Sequence, residues 1–313
     1  MRRPLTLLAV IGLLAGLMAC AAARPSTAPA VSPVAATVDL PPPAPVRPPT
    51  YYVSLGDSIA FGTQPDRVAA DRLWALNYTS YPELFNEWRP DLTLINYACP
   101  GETTMSMIHG GCPWFGTLHA PFPGAQFAAA KTFLRAHPGQ VSLITLDVGT
   151  NDILPVLGHC EASSETEACL AHEFPTVFAG LRHRYTQMIT TLHRLAPDAR
   201  IVLMNLYNPI AQNLPDTDRQ FEQVNRMIDS IAGQVNAAVA DAFTAINHAS
   251  GTRSEAESLC LTTWRCSQYW DIHPTDVGYA ALTQALEYAV SPWLRIFQTL
   301  SSASAENQYA FSP

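Results

Sequence analysis

The chain has 313 residues, 48% of them hydrophobic and 14% charged, enough for one sizeable core but not plainly for two domains. Its formal charge is −8, its single lysine is Lys131, and its arginines are scattered. Without a basic stripe to meet a phosphate backbone, nucleic acid is excluded as an expected partner.

In chain order, Arg2 and Arg3 precede an apolar stretch from Leu5 to Met18 that is too short to span a bilayer. We read residues 1–19 as a secretory signal. Its end, Leu17-Met18-Ala19-Cys20, resembles the lipobox of bacterial lipoproteins, which implies a lipidated Cys20; ordinary cleavage near Ala22 is the alternative. Residues 20–49 then form a stalk rich in proline and alanine. Its composition favours an extended chain of about 3 Å per residue, able to lift a domain off a membrane. The catalytic domain is expected over residues 50–300, followed by a disordered tail at 301–313.

Tyr51 to Leu55 is β-branched and aromatic, as a strand requires, and Gly56-Asp57-Ser58 marks a sharp turn at its end. Residues 64–79 read as a loop and Tyr81 to Trp88 as a short helix stopped by Pro90. Leu92 to Tyr97 is a second strand, ending in Cys99-Pro100-Gly101. Helical spacing runs from Gly124 to His137. Val141 to Val148 has the continuous apolar character of a buried parallel strand and ends in Gly149-Thr150-Asn151-Asp152. A long helix over His172 to Leu195, interrupted at Pro175, precedes a fourth strand at Arg200 to Tyr207. A helix at Thr217 to Val235 and a fifth strand at Ala237 to Phe243 follow. A long connection over 244–270 leads to a final helix from Thr275 to Val290. Strands alternating with helices imply a doubly wound α/β domain with a parallel sheet of about five strands.

Seven cysteines are an odd number, and setting Cys20 aside leaves six in three local pairs. An exported chain meets an oxidising compartment, so the expected disulfides are Cys99–Cys112, Cys160–Cys169 and Cys260–Cys266, although six cysteines admit other pairings. Metal binding is the competing reading, because His109 and His119 lie near Cys112 and His159 and His172 flank the second pair. None of these spacings repeats a zinc pattern, and we expect no metal.

Three strands thus end in glycine-rich or polar turns that hold Ser58, Gly101 and Asn151, while His273 precedes the final helix. In an open parallel sheet such turns converge on the crevice outside the carboxyl ends of the strands. A hydroxyl is a poor nucleophile at neutral pH, so Ser58 needs a base, His273, and donors for the developing oxyanion. The main-chain N–H groups of Ser58 and Gly101 and the Asn151 amide can supply them.

The segments GDSIAFG, the Gly101 turn, GTND and HPTDVGY occur in the order of the four sequence blocks of the SGNH (GDSL) hydrolase superfamily, which the chain resembles over roughly residues 50–295. The resemblance implies a three-layer, flavodoxin-like α/β/α sandwich and ester hydrolysis by a serine nucleophile without a cofactor. It makes Ser58, Gly101, Asn151 and His273 the signature residues. One position departs from the pattern: the residue three before the histidine is Trp270 instead of aspartate, with Asp271 two before. Successive residues of an extended segment point to opposite sides, which leaves Asp271 little room to fold back. We therefore expect the Trp270 main-chain carbonyl to orient His273, giving a Ser58–His273 dyad, with Asp271 as the alternative third member.

The expected activity is extracytoplasmic hydrolysis of acyl lipids or small acyl esters by a monomer that meets the membrane only through its lipid anchor. Removal of acetyl groups from polysaccharide is the second enzymatic reading, and a non-catalytic glycan- or lipid-binding lipoprotein the third. The other histidines are expected at the surface or in packing. The loops at 102–123 and 153–171 are expected to line the acyl or leaving-group pocket, and Trp114, Phe115 and Phe122 either favour an apolar group there or merely pack the loop.

Overall fold

A computed structural model of the chain describes residues 50–211 and 217–291. Cys20, the signal, the stalk and the tail lie outside them. Five strands form one sheet in the order β2-β1-β3-β4-β5, all parallel. They are β1 (Thr50–Gly56), β2 (Leu92–Asn96), β3 (Val141–Asp147), β4 (Arg200–Met204) and β5 (Ala238–Ala240).

The period of two along each strand divides the core. Val53, Leu55, Ile144, Leu146, Ile201 and Leu203 face one helical layer, and Tyr52, Leu143, Val202 and Met204 face the other. The first layer contains α5 (Gln126–Ala136), α7 (Thr166–Leu195) and α8 (Asp218–Gln234). The second contains α1 (Ser58–Phe61), α3 (Tyr81–Glu87), α9 (Ala242–Asn247), α10 (Glu255–Thr262) and α11, helical over 276–291. Both faces are covered, which explains why β1 and β3 are almost wholly buried. The result is the three-layer α/β/α sandwich.

Several local expectations need correction. Residues 64–79 contain α2 (Pro65–Ala69) and a 3₁₀ turn at Ala75–Asn77 rather than a plain loop. The stretch at 153–171 is helical: α6 (Thr150–Glu161) starts directly after Gly149, and α7 starts at Thr166 and passes through Pro175 unbroken. β5 is three residues long because Asp241 caps α9 immediately afterwards, its side chain accepting from Thr244 N–H. The 244–270 connection holds α9 and α10.

Disulfides join Cys99 to Cys112, Cys160 to Cys169 and Cys260 to Cys266. The second ties the end of α6 to the start of α7. The third ties α10 to the 3₁₀ turn at Trp264–Cys266. That turn lies directly behind His273, since Trp264 N–H donates to the His273 carbonyl at 3.0 Å. Gly278 lets α11 approach α10: a Cβ there would collide with the Thr262 carbonyl oxygen.

Candidate active site

Ser58 is the first residue of α1, at the carboxyl end of the central strand β1, and is 8% exposed. Asp57 turns the chain, and its Oδ1 accepts the Ile59 N–H at 2.9 Å. With that donor satisfied by the cap, the Ser58 N–H is left without an acceptor among the described residues.

The Gly101 turn follows β2. Gly101 has φ +81°, and a Cβ there would come within 2.7 Å of Pro113 Cγ, so both backbone and space require glycine. The Cys99–Cys112 disulfide holds these two segments together. Gly101 N–H likewise has no acceptor among the described residues. Asn151, in the first turn of α6, bridges the two turns: its Nδ2 donates to the Glu102 carbonyl at 2.9 Å and to Asp57 Oδ2 at 3.3 Å. Asn151 thus links the turn that carries Ser58 to the turn that carries Gly101, with one strong and one weak bond.

His273 sits in the bend before α11, and here the sequence expectation is overturned. Its Nδ1 faces Asp271 Oδ1 at 2.6 Å, and its own N–H donates to the same oxygen at 2.8 Å. The acceptor is the Asp271 carboxylate, not the Trp270 carbonyl. The parity argument assumed an extended segment, whereas Trp270 has φ +49° and reverses the chain. Asp271 then closes a turn onto the N–H two residues on, an arrangement open to aspartate and asparagine. Burial raises the Asp271 pKa, but the hydrogen bonds from His273 and the His273 and Arg265 charges outweigh it and hold the carboxyl below the ordinary value. Tyr207 Oη donates to the Ile272 carbonyl at 2.9 Å and fixes the turn from below.

Two bonds join this turn and helix to the chain after Ser58: Gln64 Nε2 to Asp276 Oδ1 at 2.8 Å, and Tyr279 Oη to the Thr63 carbonyl at 2.9 Å. Ser58 Oγ makes no hydrogen bond to His273 in this structure. Such contacts are commonly long without substrate and tighten in its complex.

Asp57 and Asp147 are buried carboxylates on neighbouring strand ends, joined by the bond from Asp57 N–H to the Asp147 carbonyl at 3.0 Å. Burial pushes Asp57 up to about 7. The Ile59 N–H and His273 pull it down, and Asp152 and Glu102 push it up. Burial, then the Asp57 charge, lifts Asp147 well above its ordinary value. A carboxyl whose folded pKa is raised contributes stability that is present below about pH 4 and lost as the pH rises through about 7. We therefore expect melting temperature to fall across that window, and to fall less steeply in Asp57→Asn. Calorimetry of both proteins at matched pH checks this; parallel curves would count against it.

Sequence reasoning missed three supporting side chains. Gln126 at the start of α5 accepts from Gly56 N–H at 2.8 Å and donates to the Gly56 carbonyl at 2.9 Å and to Glu102 Oε2 at 3.0 Å, clamping the end of β1 to the Gly101 turn. Asp152 receives the N–H and hydroxyl of Thr104, the first residue of α4 (Thr104–His109), at 2.8 and 2.6 Å. Arg184 of α7 braces both, at 2.6 Å to Thr104 Oγ1 and 3.2 Å to Asp152 Oδ1. Asp152 is visible in GTND, but nothing local marks Gln126 or Arg184.

Among the described residues two groups of side chains have metal-ligand proximity, Cys99 with Glu102 and Cys112, and His159 with Cys169 and Glu173. Their cysteines are all bonded in disulfides, which removes the thiolate a metal would take. His119 packs on Phe61, with Nε2 3.1 Å from its carbonyl, and His137 stacks on Phe133.

A serine at the lip of a central strand, two free main-chain donors and a histidine–carboxylate pair are the constellation of a serine hydrolase. The chain matches the model of the GDSL-like Lipase/Acylhydrolase family over residues 54–281 and belongs to that family; it is a carboxylic-ester hydrolase. No curated protein matches it. Among solved structures, the lipase Lip_vut3 from goat rumen metagenome is 18% identical, with TM-score 0.53, covering 77% of this chain and 97% of its own. The extracellular lipase of Streptomyces rimosus is 20% identical, with TM-score 0.51, covering 77% and 99%. Axe2, an acetylxylan esterase from Geobacillus stearothermophilus, is 15% identical, with TM-score 0.50, covering 77% and 94%. At these identities the likeness is one of fold.

Proposed function

We propose that this protein hydrolyses acyl lipids or small acyl esters through a Ser58–His273–Asp271 triad, outside the cytoplasm, as a monomer held to the cell envelope by a lipid on Cys20. The observation that carries the catalytic reading is the 2.6 Å contact between His273 Nδ1 and the Asp271 carboxylate, which leaves Nε2 as the free, basic nitrogen. Ser58 Oγ attacks the ester carbonyl as its proton passes to His273 Nε2, and the carbonyl π electrons move onto oxygen. That oxyanion accepts from the Ser58 and Gly101 N–H groups, and from Asn151 Nδ2 once it gives up its long bond to Asp57. Collapse breaks the ester C–O bond, and the leaving alkoxide takes the proton from His273. Water then attacks the acyl-serine by the same route and frees the acid.

Among the described residues no helix is long and apolar enough to cross a membrane. The name of the Geobacillus neighbour keeps acetyl removal from polysaccharide as the second reading. A panel of p-nitrophenyl esters from acetyl to palmitoyl, run beside acetylated xylan, separates the two. We expect kcat/KM to rise from acetyl to medium chains, with little acetate released from xylan. Xylan deacetylation at a kcat/KM matching the best p-nitrophenyl ester would replace acyl lipids by polysaccharide as the substrate class.

A further inference from the structure

Several large apolar side chains among the described residues stand out into solvent, and three of them lie on two loops bonded to each other. Trp74 is 68% exposed, Leu76 91% and Phe115 75%, with Met105 at 50% and Trp270 at 69% further round the rim. Trp74 and Leu76 lie before α3, and Phe115 lies between α4 and α5. The two loops are joined by Thr117 N–H to the Leu73 carbonyl at 3.0 Å and Ala75 N–H to Thr117 Oγ1 at 2.8 Å, while Trp114 Nε1 donates to the Thr117 carbonyl at 3.1 Å within its own loop. Trp114 turns inward, its ring 5.4 Å from Phe61 at the end of the helix that Ser58 begins. Pro113, two residues before Phe115, lies against Gly101. Of the two readings of these aromatics, Trp114 follows the second and packs the loop, whereas Phe115 follows neither and is exposed.

We propose that Trp74, Leu76 and Phe115 form a fixed wedge by which the enzyme docks its crevice onto an electrically neutral lipid surface. The occupant is argued from charge and position. Between Glu102 and Lys131 the chain has no acidic or basic residue other than His109 and His119, although the whole carries −8. Before Trp74, the exposed Asp71 and Arg72 are of opposite sign. An anionic surface would be repelled by the protein as a whole, and the charges flanking Trp74 and Leu76, Asp66, Arg67, Asp71 and Arg72, are two of each sign and offer no net charge to a charged partner. A zwitterionic lipid surface needs none, and aromatic rings with leucine are suited to its interface. The wedge is continuous with Gly101 and with the α1 helix, so a docked lipid presents its ester at the crevice. The proposal rests on the hydrolase reading for its substrate, but the docking itself does not require turnover.

The test uses the full chain carrying Cys20→Ser throughout, so that no lipid anchor contributes. In the Ser58→Ala background, binding to phosphatidylcholine vesicles is followed by co-sedimentation and by the blue shift of tryptophan emission. The combined Trp74→Ser, Leu76→Ser and Phe115→Ser changes should weaken binding on the order of 30-fold, through lost apolar burial. Leu76→Ser alone, at a side chain too exposed to support the fold, should weaken it by a few-fold. With Ser58 intact, the triple variant should turn over soluble p-nitrophenyl butyrate within about twofold of its parent. Equal vesicle binding by variant and parent would overturn the wedge, and so would preference for anionic vesicles or a matching loss on the soluble ester. Failure of the hydrolase reading shows itself separately, as p-nitrophenyl butyrate turnover surviving Ser58→Ala.

Discussion

Ser58→Ala should lower kcat on the order of 10⁶-fold, leaving only what the oxyanion donors and substrate binding provide. The loss is this large because the serine, its base and the base's partner act as one unit, so removing the first strands the other two. Ser58 stands at the start of a four-residue helix, where its Oγ makes no hydrogen bond among the described residues and alanine keeps the same backbone. The melting temperature should therefore stay within a degree or two, on the order of a surface substitution. Turnover of p-nitrophenyl butyrate at anything near the parent rate would remove Ser58 from the mechanism and turn attention to a water attack.

The second large effect is expected at Asp271. Asparagine preserves the turn, since its Oδ1 can still accept the His273 N–H, but it cannot stabilise the imidazolium that forms when His273 takes the serine proton. It can also present its Nδ2 to Nδ1 and so force the wrong tautomer. A loss on the order of 10⁴-fold in kcat follows, with KM little changed. A loss below about tenfold would return the orienting role to main chain and restore the dyad. The contrast with Asp57→Asn is informative, because Asp57 touches α1 and Asn151 rather than the base.

The sheet was legible because β1 and β3 are buried on both faces and their apolar runs say so. The turns were legible because Gly56, Gly101 and Gly149 punctuate strand ends. What stayed hidden depended on signals that residue type does not carry. Nothing about tryptophan announces a left-handed backbone, so the reversal at Trp270 that brings Asp271 onto His273 was invisible, although aspartate two residues before an N–H donor is the pattern of such a turn. Pro175 argued for a break in the helix that contains it, yet α7 runs through it. Gln126 serves Gly56 from 70 positions away, a contact only the folded sheet creates.

The three disulfides also bear on how the chain matures. Each closes a ring between neighbours in sequence, with separations of 13, 9 and 6 residues. The nearest wrong pair, Cys112 with Cys160, must close a ring of 48 (160 − 112). Against the 9-residue ring that competes for the same thiol, closure entropy disfavours it by about 1.5 kcal/mol. Native pairing is thus the fast outcome while the chain is still unfolded, before the sheet exists to guide it. An oxidant suffices, and reshuffling by an isomerase has little left to correct. Because among the described residues no bridge links distant parts of the sheet, reduction would loosen the rim around the crevice and the floor behind His273 while leaving the five strands in register.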